Sequence, residues 1–162
     1  MKRIIYIVIA ALVLTLVPAS YANAQWEYKG EYLEGLAVVM DSNKKFGFID
    51  KDGKVVIPCQ WKIAMDFSEG LAPVLDANSK WGYIDKTGKL VIPCQWELTM
   101  GFKEGLAFVQ DANNKFGYID KTGKVVIPCQ WERASHFHEG LAPVLDANSK
   151  WGYIDKTGKI VQ

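Results

Sequence analysis

Three cysteines, Cys59, Cys94 and Cys129, are the most reactive side chains of this sequence, and they stand 35 residues apart. Thiols could supply a nucleophile, a metal ligand or a disulfide. An odd number in a secreted chain points to a free thiol or to an intermolecular bond. Each cysteine also alternates with Ile and Trp, as in Ile92, Cys94 and Trp96, so a buried small apolar residue is the plainer role. Two of them could pair only if the segments that carry them stack at sheet spacing. No C-x-x-C or Cys/His spacing marks a zinc site. His136 and His138 form an H-x-H whose rings would face one way on an extended segment, but a third ligand is missing. Asp41, Asp76, Asp111 and Asp146 each precede an Asn by two residues. They lack the order and the distal Glu of a calcium loop, and turn chemistry accounts for them. No cofactor is expected. With no nucleophile elbow and no phosphate loop, nothing argues for an enzyme.

Ring residues offer recognition in place of reaction. Phe46, Trp81, Phe116 and Trp151 each precede a glycine, and Phe48, Tyr83, Tyr118 and Tyr153 follow two positions on. On a strand, residues two apart share a face. The candidate ligand row is therefore Phe46, Trp81, Tyr83, Phe116, Tyr118, Trp151 and Tyr153. Such rings could stack on sugars or anchor a partner protein. Packing between neighbouring units is the competing role, and the high average burial of aromatic residues favours it.

Positioning these residues requires a repeat. Glu-Gly-Leu-Ala begins at Glu34, Glu69, Glu104 and Glu139, always 35 residues apart, and Trp26, Trp61, Trp96 and Trp131 keep the same step. Residues 69–89 recur unchanged at 139–159, which duplication of a two-unit block explains. Each unit reads as three short strands. In the second unit they are Leu71–Leu75, Lys80–Asp85 and Lys89–Trp96, joined by the turns "DANSK" and "DKTGK". Gly88 supplies the left-handed residue that closes the second turn. Ala and Val at 37/39, 72/74, 107/109 and 142/144 never vary, so that face is expected to pack tightly. Pro58, Pro93 and Pro128 in the third strand, with Pro73 and Pro143 in the first, place these strands at sheet margins. The expected fold is all-β: a tandem array of four three-stranded meander units, at about 27–61, 62–96, 97–131 and 132–162, in an open twisted stack. The alternative is a closed propeller-like ring, in which Gln25-Trp26 completes the last unit.

Residues 1–24 read as a signal peptide. Lys2 and Arg3 precede an apolar run from Ile4 to Val17, and Ala22 and Ala24 set a cleavage site before Gln25. The run falls short of the ~20 residues of a spanning helix, and no cysteine follows it to take a lipid. The chain is thus expected in the periplasm, at the surface or outside the cell, without a stable membrane anchor. Cleavage removes two of the 19 basic residues and none of the 18 acidic ones, leaving a net charge of −1. Charge this balanced gives no footprint for nucleic acid.

"FSEGLAPVLDANSKWGYIDKTGKLVIP", Phe67 to Pro93, resembles the WG-repeat, or KWG-repeat, family of bacterial proteins. The Phe, Glu-Gly-Leu-Ala, Lys-Trp-Gly-Tyr-Ile-Asp and Thr-Gly-Lys elements occur in the family's order. After the proline this chain reads Pro-Cys-Gln-Trp where the family continues Pro-x-Tyr-Asp. The resemblance implies an all-β repeat domain, often exported, with no assigned activity or catalytic residues. The expected function is a non-catalytic binding or scaffold module for a protein or envelope component. The second reading is a carbohydrate- or cell-wall-binding domain using the ring row.

Overall fold

Aspartate builds the tight turns of each unit. In the second unit the Asp85 carboxylate accepts the backbone N–H groups of Thr87 and Lys89 at 2.9 and 3.1 Å, and the Thr87 hydroxyl at 2.6 Å. Gly88, at φ +84°, closes that turn through its N–H to the Asp85 carbonyl. At the other turn Asp76 accepts the N–H groups of Asn78 and Lys80, each at 2.9 Å. Asp41, Asp111 and Asp146 do the same in their own units. Their inner carboxylate oxygens are thus engaged with the backbone, as turn chemistry requires.

The computed structural model describes residues 26–161. The cleavage site at Ala24 and Gln25 lies outside the described residues. The strands form four separate antiparallel sheets, and no helix occurs among the described residues. The first sheet contains β1 (Tyr28–Leu33), β2 (Leu36–Met40), β3 (Phe46–Ile49) and β4 (Val55–Trp61). The second contains β5 (Ile63–Ala64), β6 (Leu71–Leu75), β7 (Trp81–Asp85) and β8 (Leu90–Trp96). The third contains β9 (Leu98–Thr99), β10 (Leu106–Gln110), β11 (Phe116–Asp120) and β12 (Val125–Trp131). The fourth contains β13 (Arg133–Ala134), β14 (Leu141–Leu145), β15 (Trp151–Asp155) and β16 (Ile160–Val161).

Two expectations are corrected. Each sheet has four strands, not three: the segment after each Trp pairs along the edge through as few as two residues, as in Ile63↔Leu75 and Ala64↔Val74. A two-residue strand carries no readable period. Pro73 and Pro143 consequently lie in interior strands, not margins. Pro73 is tolerated because its carbonyl, which accepts the Met65 N–H, points toward the short β5, whose pairing ends at Val74. The missing N–H on that side forgoes only the return bond to Met65, just past the end of β5. Pro58, Pro93 and Pro128 do lie in edge strands.

The sheets stack face to face, and the core lies between them. The invariant Ala and Val residues of β2, β6, β10 and β14 are fully or almost fully buried. Across the first junction Val38, Phe48 and Ile57 meet Ala72, Val74 and Ile84. Across the second Tyr83 and Ile92 meet Ala107, Val109 and Ile119. A phenylalanine from each following unit seats against the ring before it: Phe67 on Phe48, Phe102 on Tyr83 and Phe137 on Tyr118, at 4.8, 4.8 and 4.9 Å between centroids. Burying one such ring contributes about 1.5–3 kcal/mol, so the junctions hold the array together. The two end sheets differ. Trp26 packs on Ala37, Val39, Ile49 and Val55 of the first sheet, while Trp151 and Tyr153 of the last sheet remain 62% and 55% exposed.

Candidate functional site

Three of the four aromatic-Gly pairs sit where two backbones nearly touch. A Cβ on Gly82 would lie 2.6 Å from the Ile92 carbonyl oxygen and 2.8 Å from the Cys94 N and Sγ. Gly47 and Gly117 face the same obstruction at 2.5 Å. β7 and β8 shift register between Trp81 and Tyr83, and the glycine admits the irregular strand beside it. At Gly152 nothing lies within 4 Å.

The rings beside these glycines do not form a continuous exposed row. Tyr83 and Tyr118 are fully buried and Trp81 is 8% exposed. The Tyr83 hydroxyl donates to the Met100 carbonyl at 2.8 Å and also meets the Thr99 hydroxyl. The Tyr118 hydroxyl donates to the Ser135 carbonyl, also at 2.8 Å. Burial raises both phenols above their ordinary range. These rings fill the space between units, and as a ligand row the set breaks up. Phe46 and Phe116 are half-buried, and Trp151 and Tyr153 alone of the seven lie open.

A groove lies along the row. It encloses about 480 Å³ between the first and second sheets and is lined by Tyr28, Val38, Met40, Phe46, Ala64, Met65 and Asp66. Its origin is a loss of bulk. Where the first unit carries Phe46, the second carries Trp81, which packs in the next core cluster. At the third junction Phe108 and His136 meet edge to face at 5.1 Å, and Phe108 also meets Phe116. Tyr28 and Phe46 stand 6.5 Å apart at 56° along the groove wall. Burial, with the neighbouring Glu31 charge, raises the Asp66 carboxyl above its ordinary range. The groove is thus apolar with two carboxyl groups at its rim.

The three cysteines are all free and half-buried. Burial pushes each thiol up to about 11, and the charges of Asp41, Asp76 and Asp111 add to the rise at Cys59, Cys94 and Cys129 respectively. Thiols of this kind are weak nucleophiles at neutral pH. His136 packs edge to face on Phe108, and burial lowers its imidazole below the ordinary range. Among the described residues no group of three or more His, Cys, Asp or Glu side chains could hold a metal ion.

The Glu-Gly turns carry a function in the fold that sequence reading missed. Glu34, Glu69, Glu104 and Glu139 all have φ between 51° and 53°, and the glycine after each is also left-handed. This is the mirror-image turn in which Asn-Gly is usual and Glu is strained. The first three carboxylates reach into the following unit. Glu34 accepts the Gly70 N–H at 3.0 Å and pairs with Lys86 at 3.1 Å. Glu69 engages Gly105 and Lys121, and Glu104 engages Gly140 and Lys156, at 3.0–3.2 Å. Each lysine also donates to the carbonyl of the same glutamate, as Lys86 does to Glu34 at 2.9 Å. The recurring Gly at 36 and Lys at 52 residues were the only signals in the sequence, and nothing local links them.

The WG containing repeat family matches this chain at residues 46–80, 81–116, 116–150 and 151–161. No functionally curated protein matches it. Among solved structures, the chain is similar to the computationally designed Ika8 protein, with 10% identity and a TM-score of 0.54 over 82% of this chain and 46% of that one. It is similar to the designed Ika4 protein, with 7% identity and a TM-score of 0.51 over 82% of this chain and 92% of that one. A looser likeness, at 10% identity and a TM-score of 0.46, is to the WD40 beta propeller domain of Doa1, over 82% and 52% of the two chains. The chain spans less than half the length of Ika8 and of two other matched structures.

Proposed function

Since this chain belongs to the WG-repeat family, we propose that it is an exported, non-catalytic binding module that takes a protein segment into the groove between its first two sheets. The observation that carries this reading is the groove itself, an apolar cleft at the first junction, whereas Trp81 packs into the core of the second. Tyr28 and Phe46 offer flat apolar walls, and Met40 and Met65 adapt to varied shapes. Asp66 and Glu31 at the rim suit a cation beside the buried side chain. The preferred segment is therefore an apolar residue next to Lys or Arg.

A displayed library of random peptides, panned against the purified chain, tests this directly. Enrichment of apolar-basic motifs that Phe46→Trp abolishes is the expected result. Peptide binding that survives Phe46→Trp would refute it. The carbohydrate reading narrows to Trp151 and Tyr153, which are exposed together. Glycan-array binding that Trp151→Ala removes and Phe46→Trp leaves intact would replace the peptide reading. Export is tested by cell fractionation and by N-terminal sequencing, which should begin at Gln25.

A further inference from the structure

The Glu-Gly clamps run through the array and leave one unfilled half at each end. Glu34, Glu69 and Glu104 each hold a Gly and a Lys of the next unit. The Glu139 carboxylate is exposed and, among the described residues, holds neither. At the opposite end the Gly35 N–H and Lys51 have, among the described residues, no glutamate from a preceding unit. Counted by the 35-residue step, Gly35 and Lys51 are the positions that Glu139 would meet if another first unit followed the fourth.

Three further contacts obey the same count. Lys80 pairs with Glu97 and Lys115 with Glu132 across the junctions; the exposed Lys150 would correspondingly meet Glu27, which in its own unit pairs with the exposed Lys44. Tyr83 packs on Phe102 and Tyr118 on Phe137; Tyr153 would meet Tyr32. Trp81 stands opposite Trp96 and Phe116 opposite Trp131 on the neighbouring strand of the same sheet; the 62% exposed Trp151 would meet Trp26 of the second copy in that strand position, beside β15. Ring, ion pair and carboxylate clamp all match in a single placement.

We infer that the exposed face of the fourth sheet docks the first sheet of a second copy of this chain, head to tail, reproducing the junction between its own units. Such a heterologous contact closes after a few copies or extends as a filament, and both are the same interface.

Sedimentation velocity on the full chain, expressed with its own N-terminal segment, tests this over about 1–100 μM, the range of a modest protein interface. The wild type should self-associate, and acrylamide quenching of Trp151 should fall as it does. Glu139→Lys and Lys51→Glu should each weaken association about tenfold, the loss of one charged contact. The double reversal should associate more tightly than either single variant, because the new cation at 139 then faces the new anion at 51, although the Gly35 N–H stays without its carboxylate. Both side chains are exposed, so circular dichroism should show all variants folded. A monomer across the whole range overturns the inference. So does association that neither single variant weakens, or that the double reversal leaves no stronger than the single variants.

Discussion

The Glu69 carboxylate lies 3.1 Å from the Gly105 backbone N–H, one unit further along the chain, and the same carboxylate pairs with Lys121. A strained left-handed glutamate is thereby held by the unit it faces. Replacing Glu69 with Ala should cost about 1–2 kcal/mol, the usual loss for a charge-assisted hydrogen bond. Glu139 has the same φ of about 51° without the clamp. Glu139→Asn should therefore stabilise the dilute chain by about 0.5–1 kcal/mol, through relief of left-handed strain. Urea melts at submicromolar chain check both.

The clamps should also fail in acid. Burial pushes the Glu34 and Glu104 carboxyls upward, but hydrogen bonds from lysine and backbone outweigh it, and both end below the ordinary range. A carboxyl lowered in the folded state stabilises above its unfolded value, near 4.3, and loses that contribution as pH falls through the folded value. Stability should drop below about pH 4.3, and the drop should be shallower in the Glu34→Gln/Glu104→Gln double variant. Thermal melts from pH 7 to pH 3 read this out.

Gly82→Ala and Gly152→Ala should separate widely. The first drives a Cβ to within 2.6 Å of a backbone oxygen, and the second meets nothing within 4 Å. Gly82→Ala should cost about 3 kcal/mol or more and Gly152→Ala less than about 1 kcal/mol. Chemical denaturation of the two variants decides.

The thiols should resist alkylation at neutral pH. Burial pushes Cys59, Cys94 and Cys129 up to about 11. Iodoacetamide labelling of the native chain should be slow at pH 7.5 and rise toward pH 11, while the urea-unfolded chain labels readily near pH 8.5. Because the folded value is the higher one, the stability these neutral thiols contribute is full below the unfolded value. It should fall as pH rises from about 8.5 to 11.

Quenching should single out one indole. Trp151 is 62% exposed and Trp81 is 8% exposed. At nanomolar chain, Trp151→Phe should remove a large part of the acrylamide-accessible emission and Trp81→Phe should leave it nearly unchanged.

Strand positions were legible because period-two parity and turn residues act locally. The expected Leu71–Leu75 is β6, and the expected second and third strands differ from β7 and β8 by one residue at their start. The tight Ala/Val face was legible for the same reason. The fourth strand was not, since Ile63–Ala64 is too short to alternate. Pro73 was then misplaced, because its tolerance depends on where that neighbour stops. Phe46 shares its strand position with Trp81 and Phe116, and the groove beside it depends on Val38 and Asp66 standing where the third junction has Phe108 and His136. Whether a ring lies inside or outside depends on whether another unit stands beside it. Identical "WGYID" segments at Trp81 and Trp151 accordingly meet opposite fates.

In the second and third sheets one flank is a two-residue strand and the other a strand interrupted by Pro93 or Pro128. Both features discourage a neighbouring chain from adding a strand at the side. Growth is thereby confined to a single direction, along the stack. Gain or loss of a 35-residue unit alters the reach of the molecule and leaves each junction as it was. Such a protein works as a ruler that evolution can lengthen by whole divisions.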